Sequence, residues 1–137
     1  MWMMENIEMT PKLLENRDDI AFLIDRFYKK VIVDDSIGYF FTNVIPISWE
    51  KHIPIMVEFW SGILFGNSAY AGNPMVKHIQ LNEHSPLKKE HFDRWLKLWA
   101  NTVHENFFGE KADEAITRAE AIAEIILYKV QSHSQNK

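Results

Sequence analysis

Two of the six histidines in this chain stand apart from the others. His78 lies in the apolar run Pro74-Met75-Val76-Lys77-His78-Ile79, after a stretch punctuated by Gly72 and Asn73. His52 precedes the apolar stripe Ile55, Met56, Phe59, Trp60. A neutral imidazole in apolar surroundings serves either as a hydrogen-bonded core group or as a metal ligand. His84, His91 and His104 sit among Glu, Lys and Asn, where surface placement is expected. His133 lies in the polar tail 133–137. The second chemical feature is the ring content: nine Phe, five Trp and four Tyr in 137 residues. Such an excess builds a bulky core or lines a slot for a large flat ligand.

Other chemistries are excluded by what is missing. The chain has no cysteine, so thiolate metal sites, iron–sulfur clusters, disulfides and covalent haem attachment are all absent. His104-Glu105 is not followed by the second histidine of a zinc signature, and no Glu stands three residues before a His, as carboxylate bundles require. Residue types alone leave Ser/His/Asp catalysis open, but there is no Gly-x-Ser-x-Gly elbow. No flavin or nicotinamide fingerprint is present, so any electron donor is expected to be external. The net charge of −4 argues against nucleic acid. The basic cluster Lys88, Lys89, Arg94 and Lys97 reads as a solvated helix face. No apolar run is long enough to span a membrane and the start lacks signal-peptide character, so a cytoplasmic location is expected.

The elements that must position these residues are helical. Ile20, Leu23, Ile24, Phe27, Tyr28 and Val31 share one face of a helix predicted over Asp18 to Asp34. Tyr39-Phe40-Phe41 forms a short apolar turn after Gly38. A second helix is predicted from Ser48 to Gly66, with Pro54 as an obstacle: the turn from Ser48 to Ile53 is expected to be a separate, hinged piece. Residues 67–74 read as loop and 75–81 as a short helix. Ser85-Pro86 opens a helix carrying Phe92, Trp95, Leu96, Trp99 and Val103. Gly109 separates it from a last helix whose Ala112, Ala115, Ile116, Ala119, Ile122, Ala123, Ile126 and Val130 keep a helical period. Trp60 and Trp99 fall at ordinary core positions. Strand signals are poor. The reading is one all-α domain over 1–137, with its core at about 18–132. From periodicity alone, a regular four-helix bundle and a globin-like cross of helix pairs both remain open.

The ordered series Phe27-Tyr28, Phe41, Trp49-x-x-His52, Phe59-Trp60, Tyr70-x-Gly72-x-Pro74-x-x-x-His78 and Phe92-x-x-Trp95-Leu96 resembles the group III truncated haemoglobins, from about residue 20 to about residue 128. Like them, the chain lacks the paired glycines of other truncated globins. The resemblance implies a globin-like two-on-two helical sandwich, with helices 18–34 and 48–66 crossing 86–107 and 111–132, and b-type haem (iron protoporphyrin IX) between them. It makes His78 the iron's proximal ligand. Tyr28, His52 and Trp95 match the distal and near-distal polar positions. Phe41, Met56, Phe59 and Trp60 match the apolar pocket wall, and Phe27 and Phe92 join the cofactor-binding set. The function implied is binding of dioxygen, nitric oxide or other diatomic ligands, with redox chemistry on nitric oxide or peroxide as an extension. A dioxygenase or peroxidase fed by an external electron donor, and a globin-fold module acting through a protein partner with or without haem, are the rival readings. Pro54 departs from the family pattern and leaves the orientation of His52 open.

Overall fold

Asn16 opens the first helix, α1 (Arg17–Val31), from an extended backbone, its side-chain oxygen accepting a hydrogen bond from the Asp19 amide at 3.0 Å. Asp18 and Asp19 in the first turn and Lys29 and Lys30 in the last complement the helix dipole. The buried face is the predicted one: Ile20, Leu23, Ile24, Phe27, Tyr28 and Val31. The helix stops short of Asp34 for a local reason. The Asp34 carboxylate accepts from the backbone amides of Ser36 at 2.9 Å and Ile37 at 3.1 Å, a turn that competes with helix continuation. The chain then makes a helical turn through residues 38–41 that buries Phe40.

The computed structural model describes residues 11–41, 49–66 and 87–135. The predicted loop 67–74, the short helix 75–81, Ser48 and the Ser85-Pro86 cap lie outside them. The remaining elements are α2 (Trp49–Phe65), α3 (Lys89–Asn106), α4 (Glu110–Gln135) and two strands of two residues each, β1 (Lys12–Leu13) and β2 (Phe107–Phe108).

The expected hinge before Pro54 is not there: α2 runs unbroken through the proline. Pro54 removes the amide that would bond to the Glu50 carbonyl. Pro54, Glu50 and Lys51 are all exposed, so water can satisfy that carbonyl. Gly66, at φ +75°, ends the helix with its amide on the Gly62 carbonyl at 3.0 Å.

Two further expectations at the start of α3 need correction. His91 is half-buried rather than on the surface. Its Nδ1 accepts the Lys88 amide at 3.0 Å, capping the helix, and its ring packs edge-on against Phe40 at 4.9 Å. Lys88, Lys89 and Lys97 are solvated as predicted, but Arg94 is not part of a free basic face, because it is held by Asp34.

The small sheet is also unforeseen. β1 pairs in parallel with β2, Lys12 beside Phe107 and Leu13 beside Phe108, and two residues are too few to leave a period-two signal. Gly109 follows at φ +102°, with Leu13 Cδ2 only 2.7 Å from where a Cβ would stand. Only glycine meets both demands without strain.

Helix packing forms two pairs, α1 with α2 and α3 with α4, joined where α1 meets α3 and α2 meets α4. Buried alanines at 112, 115, 119 and 123 let α4 approach closely. Trp99 fills the centre: it stacks on Trp60 at 4.6 Å and donates its indole N–H to the Ala115 carbonyl at 3.0 Å. Trp60 and Trp99 are thus core residues, as their helical positions predict. Among the described residues, no helix is long and apolar enough to cross a membrane.

Candidate functional site

The buried face of α1 delivers Tyr28 to a box of rings. The Tyr28 ring centroid lies 5.0 Å from His52, 5.2 Å from Trp49, 6.0 Å from Phe41 and 5.0 Å from Phe27. Trp49 and His52 are three residues apart on α2, so they share a face and meet at 5.7 Å. The unbroken helix through Pro54 settles which way His52 turns: its ring stands nearly perpendicular to that of Tyr28. Tyr28 is 8% exposed, and loss of solvent pushes its phenol pKa far above the ordinary value. The hydroxyl therefore stays protonated and able to donate.

Phe27 connects this box to α3. It meets Trp95 edge-on at 5.4 Å and Trp99 at 5.0 Å, while Trp95 and Trp99 lie parallel at 5.9 Å. Trp95 and Leu96 on α3, Phe41 in the turn, and Met56, Phe59 and Ile63 on α2 are half-buried apolar side chains packed against the core. Phe27, Trp60 and Phe92 lie deeper, within the core itself. Of the residues singled out in the sequence, Phe27, Tyr28, Phe41 and His52 are therefore in one ring cluster, and Trp95 joins it through Phe27. Met56 and Phe59 continue the wall along α2. His78 and Tyr70 lie outside the described residues.

Two contributors went unassigned in the sequence. Trp49 closes one side of the Tyr28 box; the Trp49-x-x-His52 spacing carried that signal. The second is the Asp34–Arg94 pair. Arg94 donates from Nε to Asp34 Oδ1 at 2.8 Å and its Nη2 stands in ion-pair contact with the same oxygen at 2.7 Å, tying the turn that leads to Phe41 to the helix that carries Trp95. Burial opposes the Asp34 charge, but the guanidinium and the Ser36 and Ile37 amides outweigh it and hold the carboxyl below its usual value.

The chemistry of this set fits a porphyrin. A large flat hydrophobe needs apolar side chains that are not already fully covered, and Phe41, Met56, Phe59 and Trp95 supply them from three elements. Tyr28 and His52 add polar groups beside that wall. Among the described residues, no group of three His, Asp or Glu side chains could hold a bare metal ion.

Residues 14–127 match the family model described as bacterial-like globin. The chain belongs to the bacterial-like globin family. It is 35% identical over 124 residues to a group 3 truncated hemoglobin of Campylobacter jejuni, across 86% of this chain and 95% of that one. The crystal structure of a group III truncated hemoglobin from Campylobacter jejuni superposes with a TM-score of 0.78 at 31% identity, covering 88% of this chain and 95% of that chain. This globin is thus all-α and of the group III truncated type, as the ordered aromatic and histidine series implied. Family membership makes it a haem-binding globin.

Proposed function

We propose that this globin holds b-type haem against the wall formed by Phe41, Met56, Phe59 and Trp95, with His78 as the iron's protein ligand. Its distal side would bind dioxygen and other diatomic ligands, nitric oxide among them. Bound haem would supply iron able to coordinate such a ligand and to exchange electrons with nitric oxide or peroxide. Turnover of that kind draws on an electron donor outside this chain.

The observation that supports the reading is the buried Tyr28 ring, boxed by Phe41, Trp49 and His52. Its hydroxyl keeps its proton because burial disfavours the phenolate. A diatomic ligand carrying partial negative charge would accept a hydrogen bond from it, and Trp95, which joins the cluster through Phe27, carries an indole N–H that would be a second donor. His52, edge-on to Tyr28, fixes the plane of the phenol ring. A hydrogen bond to a charged partner is worth about 1.5–3 kcal/mol, which corresponds to about a ten- to hundredfold slower ligand release.

The test is Tyr28→Phe, with dioxygen dissociation followed by stopped flow on the reduced, haem-loaded protein. Release about ten- to hundredfold faster than wild type is expected. An unchanged rate in a variant with a normal haem spectrum removes Tyr28 from ligand binding.

A further inference from the structure

The last helix has two apolar faces, and the fold uses one. Ala112, Ala115, Ala119, Ala123, Ile126 and Val130 pack into the core. On the opposite side of α4, Thr117, Ala121, Ile125 and Tyr128 form an exposed line, Ile125 at 51% and Tyr128 at 67%. Their spacings of four, four and three residues keep them on one stripe, as in the seam of a coiled coil. The stripe has edges of opposite charge. With about 100° between successive residues, Arg118 and Lys129 fall along one edge and Glu120 and Glu124 along the other. Arg118 turns back to Glu114 at 3.6 Å. Glu120, Glu124 and Lys129 are exposed and make no ion pair among the described residues.

We propose that this face is a contact surface between two copies of the chain, packed in parallel about a two-fold axis that runs along α4. The charge layout selects both the occupant and the direction. A two-fold axis parallel to the helix brings the basic edge of each copy against the acidic edge of the other. Glu124 then faces Lys129 of the partner subunit, the pairing that flanks a parallel seam. An antiparallel pair would instead set basic edge against basic and acidic against acidic. Ile125 and Tyr128 meet their own counterparts at the centre. The seam from Thr117 to Tyr128 is only about 17 Å long, so the dimer is weak and depends on concentration.

Sedimentation velocity on the full chain, over a concentration series, tests the proposal. A monomer–dimer equilibrium is expected. Ile125→Glu, which places a charge in the seam without touching the core, should weaken it by about tenfold or more. Lys129→Glu should weaken it too, and adding Glu124→Lys to that variant should restore it, since the swapped pair is again complementary. Unchanged circular dichroism shows that each variant is folded. Because the chain has no cysteine, single cysteines report the direction. Under mild oxidation Ala121→Cys and Tyr128→Cys should each form disulfide-linked dimers alone. A monomer at every concentration, a dimer indifferent to Ile125→Glu, or cross-linking only when the two cysteine variants are mixed would overturn the proposal.

Discussion

Asp34 is the side chain whose removal most directly tests how the pocket is braced. Its side chain is 4% exposed, is ion-paired with Arg94, and accepts one hydrogen bond from the Arg94 Nε and one each from the Ser36 and Ile37 amides. Breaking a buried ion pair by deleting one partner costs about 3–5 kcal/mol. The Arg94 side chain is 38% exposed, so water takes over part of its charge and the expected loss for Asp34→Ala falls to about 2–3 kcal/mol. Asp34→Asn keeps an acceptor for the amides and loses the charge, for about 1–2 kcal/mol. Urea unfolding at constant m reads both. The sign of the pH dependence follows from the lowered pKa. The carboxylate contributes stability above its unfolded value, near 3.9, and the contribution disappears as pH falls through the lower folded value. The gap between wild type and Asp34→Asn should therefore be full at pH 6–7 and shrink below about pH 4. A loss under about 0.5 kcal/mol for Asp34→Ala, or an Asp34→Asn gap that persists unchanged in acid, would refute this reasoning.

Two substitutions test the packing behind the site. Trp99→Phe removes the hydrogen bond to the Ala115 carbonyl and part of the stack on Trp60 and Trp95, so a loss of about 2–4 kcal/mol is expected in urea unfolding. A loss under about 1 kcal/mol would mean that this indole does not join α3 to α4. Gly109→Ala meets both a positive φ and the Leu13 side chain, and should cost about 1–3 kcal/mol in thermal or urea unfolding. Adding Leu13→Ala should recover only the steric part. Full recovery would show that the backbone conformation carries no strain.

What the sequence disclosed follows from the range of each interaction. The face of α1 from Ile20 to Val31 is legible because a helix repeats its contacts every three or four residues, and Phe27 and Tyr28 fall on it by position. The Ala line of α4 is legible for the same reason. The orientation of His52 was not, because Pro54 forbids one hydrogen bond but leaves the outcome to solvent exposure, which spacing does not encode. The Asp34–Arg94 pair spans 60 positions, and nothing in either local pattern names the other. His91 lies among charged neighbours that mark it as exposed, yet its cap to Lys88 and its contact with Phe40 draw the ring inward. The parallel pairing of β1 with β2 is too short to show a period. For the pocket, the order of weak aromatic and histidine pieces carried more than any single piece, since the fold fixes their sequence along the chain.

The central proposal is that one imidazole, His78, holds haem iron beside the Tyr28 ring box. The most direct measurement is a spectroscopic hemin titration of the wild-type chain beside His78→Ala. One equivalent of haem with an intense Soret band, shifting on reduction and on carbon monoxide, is predicted for wild type, and loss of stoichiometric binding for the variant. A variant that keeps the wild-type haem spectrum and stoichiometry would contradict the assignment.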